Sequence, residues 1–535
     1  MQGDIKTVEI VFLILLLFVT VFAYLARRFN TPYPIVLVIA GLALGFVPGM
    51  PRVTLHPDIV FLVVLPPLLY SAAWQTSWRE FRYNIVSIGL LAFGLVGFLV
   101  ASVALVAPRL LPGFDWRMGF ALGAVVATTD AIAATAIARK LGLPQGIVDI
   151  LEGESLINDA SGLLALEFAA ALIVNGQRPH LAGGVMRLLW LTTGGLAIGL
   201  LLGVVVAWIE RHIDDAPIEI TLSLLVPYAA YLAAEAVHAS GVLSVVACGL
   251  WLSRRSAQFF SPSVRLQIWS VWESITFALN GLVFVLIGLQ LPVVLDGLHS
   301  YSMRRLIVSG LLFSLVLIVL RLAWTFPGAY LANLIRHHLL GQPEPPPSLR
   351  QVFVVGWTGM RGVVALAAAL ALPTQLADGS PFPQHDLILF FTFVVILVTL
   401  VGQGLLLPPL IRLLGLAGSA GSNCEELEAQ RLMIEAAMAR LDTVRQQDTG
   451  NVDSLYEDMS HHFRDQLAAL AGGGPDGADG EVTHHRRFRA LAHELLRVQR
   501  HTLIELRDEG RINDEVLRRL ERNLDLGEER LLADL

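Results

Sequence analysis

Long apolar runs separated by short polar breaks fill the chain from residue 7 to residue 413. A helix that crosses a bilayer needs about 20 predominantly apolar residues. Windows of that kind fall at residues 7–26, 33–48, 56–74, 84–107, 117–138, 146–174, 187–209, 218–237, 240–253, 268–291, 304–333, 350–372 and 385–413. The pattern predicts about thirteen spanning helices, with the shortest at 33–48 and 240–253. From Asn423 the period changes. Residues 425–445, 453–471, 487–507 and 513–535 place apolar side chains three and four apart, the signature of amphipathic helices. Residues 472–480, Gly-Gly-Gly-Pro-Asp-Gly-Ala-Asp-Gly, read as a flexible linker. The expected organisation is a membrane domain at 1–415 and a helical soluble tail at 416–535.

Composition agrees with this division. The 535 residues are 55% hydrophobic and 16% charged, against about 25% charged in ordinary soluble domains. The charge concentrates in the tail, where a soluble enzyme would spread it. No basic block suggests nucleic acid. Cys248 and Cys424 are the only cysteines, one in an apolar segment and one at the tail junction, so neither a disulfide framework nor a thiolate metal site is expected. The short stretch 1–7 precedes a long apolar run with no small-residue cleavage site, which reads as a first spanning helix.

Loop charges set an orientation. With the N-terminus outside, one set of loops holds Arg27/Arg28, Arg79/Arg82, Arg139/Lys140, Arg254/Arg255/Arg265 and Arg336/Arg350. The opposite set holds Arg52, Arg109/Arg117, Arg178/Arg187 and Arg304/Arg305, so the first and richer set belongs to the cytoplasm. An odd number of crossings then puts the tail in the cytoplasm too. His461/His462 and His484/His485 in that tail read as solvated surface residues, with pH sensing as the alternative.

Charges inside apolar windows cost at least about 2.5–3.5 kcal/mol each on insertion scales, so each needs a reason. Asp130 lies deep in the fifth window, in Ala127-Thr-Thr-Asp-Ala-Ile-Ala133. Thr128 and Thr129 compete for backbone hydrogen bonds, which predicts a locally opened helix whose carbonyls and hydroxyls face water or an ion. Capping of a half-helix by Asp130 is compatible with that reading. The sixth window carries Leu151-Glu-Gly-Glu-Ser-Leu-Ile-Asn-Asp-Ala-Ser-Gly162. Ser155 and Asp159 form one i,i+4 pair and Glu154 and Asn158 another. Three acids in one spanning helix exceed what helix packing needs, and a small polar face with an isolated acid suits a hard cation. Asp159 is therefore the expected centre of function. The twelfth window carries Gly356-Trp-Thr-Gly-Met-Arg-Gly362, a glycine-weakened helix with a permanent positive charge. Glu154 is the expected partner of Arg361, whose role is more scaffold than ligand; Arg321 is left open between pairing and snorkelling. Interrupted segments in corresponding positions of two halves point to an inverted-repeat transporter with its site near the midplane. Glu235, His238, Glu273 and Asn280 are candidates for lining a pathway.

Taken together, Gly153-Glu-Ser-Leu-Ile-Asn-Asp159, Thr129-Asp130, Gly359-Met-Arg-Gly362, Leu65-Pro-Pro67 and His238-Ala-Ser-Gly-Val-Leu243 resemble the sodium/proton exchanger family of monovalent cation:proton antiporters over residues 10–413. The resemblance implies an all-α fold of about thirteen helices in two inverted repeats, with unwound fifth and twelfth helices crossing near the centre, and a dimer. It implies Na+ bound by Asp159, Ser155 and Thr129, with Asp159 taking cation or proton in turn. It makes Asn158 the mark of electroneutral one-for-one exchange. Glu154 and Arg361 would be a buried structural pair, with Asp130 its partner at the crossing; Asp130 and Asn158 join Asp159, Ser155 and Thr129 in the cation- and proton-binding set that the resemblance implies. In one departure, Ser71 stands where many members carry an acid, which bears on selectivity.

The expected activity is exchange of Na+, and possibly Li+, for H+ at a bacterial inner membrane, serving pH and sodium homeostasis, with no cofactor, no enzymatic chemistry and no nucleotide-binding Gly-x-x-x-x-Gly-Lys-Ser/Thr loop. Exchange of K+ or several monovalent cations is the nearest alternative. A cation channel with a sensory tail and an intramembrane aspartyl protease using Asp130 and Asp159 are remoter ones; the protease would need Tyr-Asp and Gly-x-Gly-Asp settings in place of Thr-Asp and Asn-Asp.

Overall fold

The computed structural model describes residues 2–29, 31–48, 55–174, 181–213, 215–260, 262–298, 301–339, 341, 347–376, 380, 382–418 and 421–447, with scattered positions between 456 and 524. It divides into two compact units, Met1–Ser419 and Ala420–Leu535. In the first unit α1 is Gln2–Arg28 and α2 is Tyr33–Gly45. Next come α3 (Pro57–Gln75), α4 (Ile85–Leu110), α5 (Trp116–Ala127), α6 (Ile132–Lys140) and α7 (Gln145–Val174). The second half holds α8 (Leu181–Glu210), α9 (Ala216–Ala236), α10 (Gly241–Phe259), α11 (Pro262–Leu289) and α12 (Met303–Leu339). It closes with α13 (Leu349–Trp357), α14 (Val363–Leu370) and α15 (His385–Leu413). In the second unit α16 spans Gly421–Gln447 and carries an i,i+4 ion pair, Arg431–Glu435 at 2.7 Å. The other expected tail helices, the 472–480 linker, His462, His484 and His485 lie wholly or largely outside the described residues.

Ten spans among the described residues are long and apolar enough to cross a membrane. The three other windows are occupied by α2, α10 and the interrupted pair α13–α14, so each predicted crossing has a helix. Two apolar clusters organise them. One joins α2, α4, α5, α12, α14 and α15; the other joins α3, α8, α9, α10 and the start of α11. Helix α7 serves both, with Leu151 and Leu166 in the first and Leu156 in the second, so its polar residues 154–159 lie at the seam.

Prolines shape α3. Pro66 and Pro67 have no N–H to give to the preceding turn, and the helix takes up a π-turn over Val60–Val64. The carbonyl that Pro67 would have paired, Val63 O, accepts instead from the Tyr228 hydroxyl of α9 at 3.1 Å. Similar π-turns interrupt α4 at Leu90–Leu95 and α15 at Val398–Gln403. Carbonyls in both turns accept from side chains of neighbouring helices: Trp324 Nε1 reaches Leu90 O at 3.2 Å, Ser161 Oγ reaches Ala92 O at 2.5 Å, and Trp357 Nε1 reaches Gln403 O at 3.4 Å.

Candidate functional site: two broken helices against a polar helix face

Helix α5 stops where the sequence predicts. Thr128 is extended, with φ −65° and ψ 139°, and regular structure resumes only at Ile132. A broken helix leaves C-terminal carbonyls and N-terminal N–H groups without partners, and in hydrocarbon each must be satisfied internally. The Thr128 hydroxyl donates to Val125 O at 3.2 Å, and Arg361 Nε donates to Val126 O at 3.0 Å. At the start of α6, Asp130 Oδ1 accepts from Ile132 N at 2.8 Å. Asp130 therefore does cap a half-helix.

The second break spans Thr358–Gly362, and its carbonyls are accounted for in the same way. Thr358 Oγ1 donates to Val354 O and Val355 O at 3.0 and 3.1 Å. Arg321 reaches Gly356 O with Nε at 3.1 Å and Val355 O with an amino group at 3.2 Å. Gln403 Nε2 donates to Trp357 O at 3.0 Å. An arginine thus stands at the carbonyl end of each first half-helix, where the helix dipole favours positive charge.

The breaks touch. Asp130 N donates to Met360 O at 2.8 Å, and a Cβ on Gly362 would collide with the Asp130 carboxylate. Only glycine allows that approach, which brings the carboxylate to the N-terminal ends of both α6 and α14. Gly362→Ala is expected to separate the breaks at an overpacking cost of about 1–3 kcal/mol, read as a lower melting temperature in detergent together with lost transport.

Against this crossing α7 turns its polar face. Ser155 Oγ donates to Thr129 O at 2.8 Å and lies 3.4 Å from Ala131 N. Asn158 Nδ2 donates to the Thr129 hydroxyl, which lies 3.4 Å from Glu154 Oε1. Glu154, Ser155, Asn158, Thr129 and Asp130 are thereby brought together, and Asp159 sits beside them at i+4 from Ser155. Asp159 is 4% exposed and Asn158 1%. Among the described residues neither Asp159 Oδ1 nor Asn158 Oδ1 has a hydrogen-bond partner.

The expected Glu154–Arg361 pair is corrected by the structure. Glu154 forms a bidentate pair with Arg321 of α12, at 2.5 Å and 2.8 Å. Both side chains are at most 2% exposed. The planar guanidinium fork of Arg321 matches the carboxylate edge to edge. Arg361 turns to carbonyls: besides Val126 O it donates to Gly359 O, its backbone N–H donates to Thr399 Oγ1 at 3.1 Å, and its Nη2 has no partner among the described residues. Its place is at the end of α5 as a structural cap. Thr399 and Gln403 were not foreseen; they are uncharged and sit in an apolar run, and their only sequence signal is that two hydrogen-bonding side chains occur four residues apart in the last crossing.

Two interrupted helices crossing at their breaks, backed by a helix that offers buried oxygen ligands, define an ion-translocating membrane domain. The sequence model of the transmembrane sodium/hydrogen exchangers matches residues 13–413. A protein of Mycobacterium tuberculosis strain H37Rv, named an uncharacterized Na+/H+ exchanger, is 32% identical over 96% of this chain and 94% of its own length. A sodium, potassium, lithium and rubidium/H+ antiporter of Bacillus pumilus is 34% identical over 70% of this chain and 57% of its own. Among solved structures, the sodium proton antiporter of Methanocaldococcus jannaschii superposes with a TM-score of 0.61 at 20% identity, covering 77% of this chain and 100% of that one. The chain belongs to the sodium/hydrogen exchanger family: it is a multi-pass membrane transporter, not an enzyme, and its fold is that of the antiporter.

Proposed function

We propose that this chain exchanges Na+, with Li+ also accepted, for H+, one for one, at Asp159. The observation that carries the reading is the pair of buried side-chain oxygens without partners, Asp159 Oδ1 and Asn158 Oδ1. A cation satisfies both at once, with Ser155 and Thr129 completing an oxygen set of the kind that hard cations prefer. A proton on Asp159 satisfies the carboxylate in another way and excludes the cation. Occupation by either neutralises the site and lowers the cost of carrying it through the membrane.

Charge balance supports one-for-one exchange. Glu154 is paired with Arg321, Arg361 gives side-chain N–H groups to two carbonyls, Asp130 caps the start of α6, and Asn158 is neutral. One carboxylate is left to change its occupant, so one proton leaves for each monovalent cation that binds. The same argument holds for K+, and the Bacillus pumilus relative, named for four alkali cations, favours a broad substrate range as the second reading.

The richer set of loop arginines and lysines supports a cytoplasmic face for the loops after the first, third, fifth, ninth and eleventh crossings, with the N-terminus outside and the tail inside. We place the protein in a bacterial inner membrane as a homodimer that serves pH and sodium homeostasis, its membrane domain at 1–415 and its regulatory tail at 416–535. The test uses liposomes with an acid interior and a pH-sensitive dye. Added Na+ or Li+ is expected to dissipate the gradient at a rate that an imposed membrane potential does not change. A response to K+ alone would replace the substrate, a potential-dependent rate would overturn the stoichiometry, and no response to any cation would overturn the antiport reading.

A further inference from the structure

Asn280 of α11 is a buried polar residue to which the exchange mechanism gives no task. It is 3% exposed, and its Oδ1 has no hydrogen-bond partner among the described residues. A buried amide oxygen in that condition is costly unless something polar reaches it. Its surroundings are not random. The ring of Tyr33, at the start of α2, lies 5.7 Å from that of Phe277 on the same helix as Asn280, and α11 packs against α2 and against α14, the second half of the twelfth crossing. One turn back along α11, Thr276 Oγ1 donates to Ser71 Oγ of α3 at 3.1 Å. Ser71 is 3% exposed and receives a further bond from Gln75 Nε2 at 3.3 Å. Another turn back, Glu273 is exposed. Positions 273, 276 and 280 are spaced three and four apart and therefore share one face of the helix. That face runs from an exposed carboxylate, past two hydroxyls, to a buried amide oxygen beside the crossing.

Resting on the exchange reading above, we infer that Asn280 Oδ1, with the hydroxyl oxygen of Thr276 held in place by Ser71, forms a second cation-binding station of neutral oxygens on the way to Asp159, and that this station ranks the alkali cations. Neutral dipoles suit the role. They replace part of the hydration shell of the ion, yet hold it weakly enough to release it to the carboxylate, and their number and field strength discriminate between ions of different size. The orphan Oδ1 is then the ligand that faces the ion.

The experiment measures half-saturating Li+, Na+ and K+ and maximal rates in proteoliposomes at one pH for wild type, Asn280→Ala, Asn280→Asp, Thr276→Val and Asp159→Asn. Asn280→Ala is expected to raise the half-saturating concentration of the preferred cation about tenfold, the effect of one lost polar contact, with maximal rate within about twofold of wild type. The order of the three cations flattens with it. Asn280→Asp keeps an oxygen in place and restores the half-saturation. Thr276→Val removes a hydroxyl from a half-buried position and shifts the same quantity by about threefold in the same direction; it reads the ranking even where the alanine variant fails to accumulate. Half-saturations and ion order unchanged in both the Asn280→Ala and Thr276→Val variants would overturn the inference. So would an equal fall in maximal rate for every cation, the mark of a packing role. With wild type active and Asp159→Asn silent, such a result overturns this inference alone; wild type silent to all cations overturns the exchange reading and this one with it.

Discussion

Asp159→Asn is expected to abolish cation-driven proton movement while leaving the protein folded. The substitution keeps the shape of the side chain and an oxygen beside Asn158, but it removes the group that can take a proton. Exchange by competition needs a ligand with two alternative occupants, and no other side chain at the crossing offers one. Glu154 is engaged by both oxygens with Arg321, and Asp130 holds the first N–H of α6 with Oδ1 and packs against Gly362. The expected loss is complete within the sensitivity of the dye assay, with the melting temperature in detergent at or above that of wild type, because a buried acid has been replaced by a neutral amide. A variant that still dissipates the gradient with Na+ would place the carrier elsewhere.

The second large effect concerns the Glu154–Arg321 pair. Removing one partner of a buried, fully hydrogen-bonded ion pair costs about 3–5 kcal/mol, because the other charge is left without compensation. Arg321→Ala also strips Gly356 O of its donor and leaves Val355 O with the Thr358 hydroxyl alone, so the end of α13 is weakened as well. The distinctive expectation is one of coupling. In denaturant unfolding from mixed micelles, a double-mutant cycle between Glu154→Gln and Arg321→Met should give an interaction energy of about 2 kcal/mol or more, and the cycle between Glu154→Gln and Arg361→Met about half a kcal/mol or less. The reverse ranking would restore Arg361 as the partner of Glu154.

Much of this arrangement is legible in the sequence because the bilayer makes deviations conspicuous. Thirteen apolar windows stand out because charge is excluded from them, and each is occupied by a helix or an interrupted pair. Both breaks announce themselves, one by adjacent threonines before an aspartate and the other by three glycines at spacings of three around an arginine. The polar face of α7 follows from i,i+4 spacing alone. Pairing between helices is less visible. Sequence shows that Glu154 needs a cation, but Arg321, 167 residues away in a 37-residue helix, looks the same in an apolar run whether it snorkels or pairs. Arg361 is the candidate offered by the motif, yet the end of α5 claims it; the sequence predicts the freed carbonyls there but assigns them to water or an ion, not to an arginine from the twelfth crossing. Thr399 and Gln403 are quieter still, since uncharged polar residues in a crossing carry no strong penalty and so no strong signal.

The central claim is that proton and cation compete for Asp159. Its most direct test is the half-saturating Na+ concentration for exchange, measured in proteoliposomes across a range of pH with the same pH on both sides and 22Na+ uptake as the readout. Competition predicts that half-saturating Na+ rises on acidification, approaching about tenfold per pH unit once the site is mostly protonated, while maximal uptake at saturating Na+ holds constant. Half-saturating Na+ that stays fixed across pH while maximal uptake falls would show that protons act at a separate group, and would contradict the account.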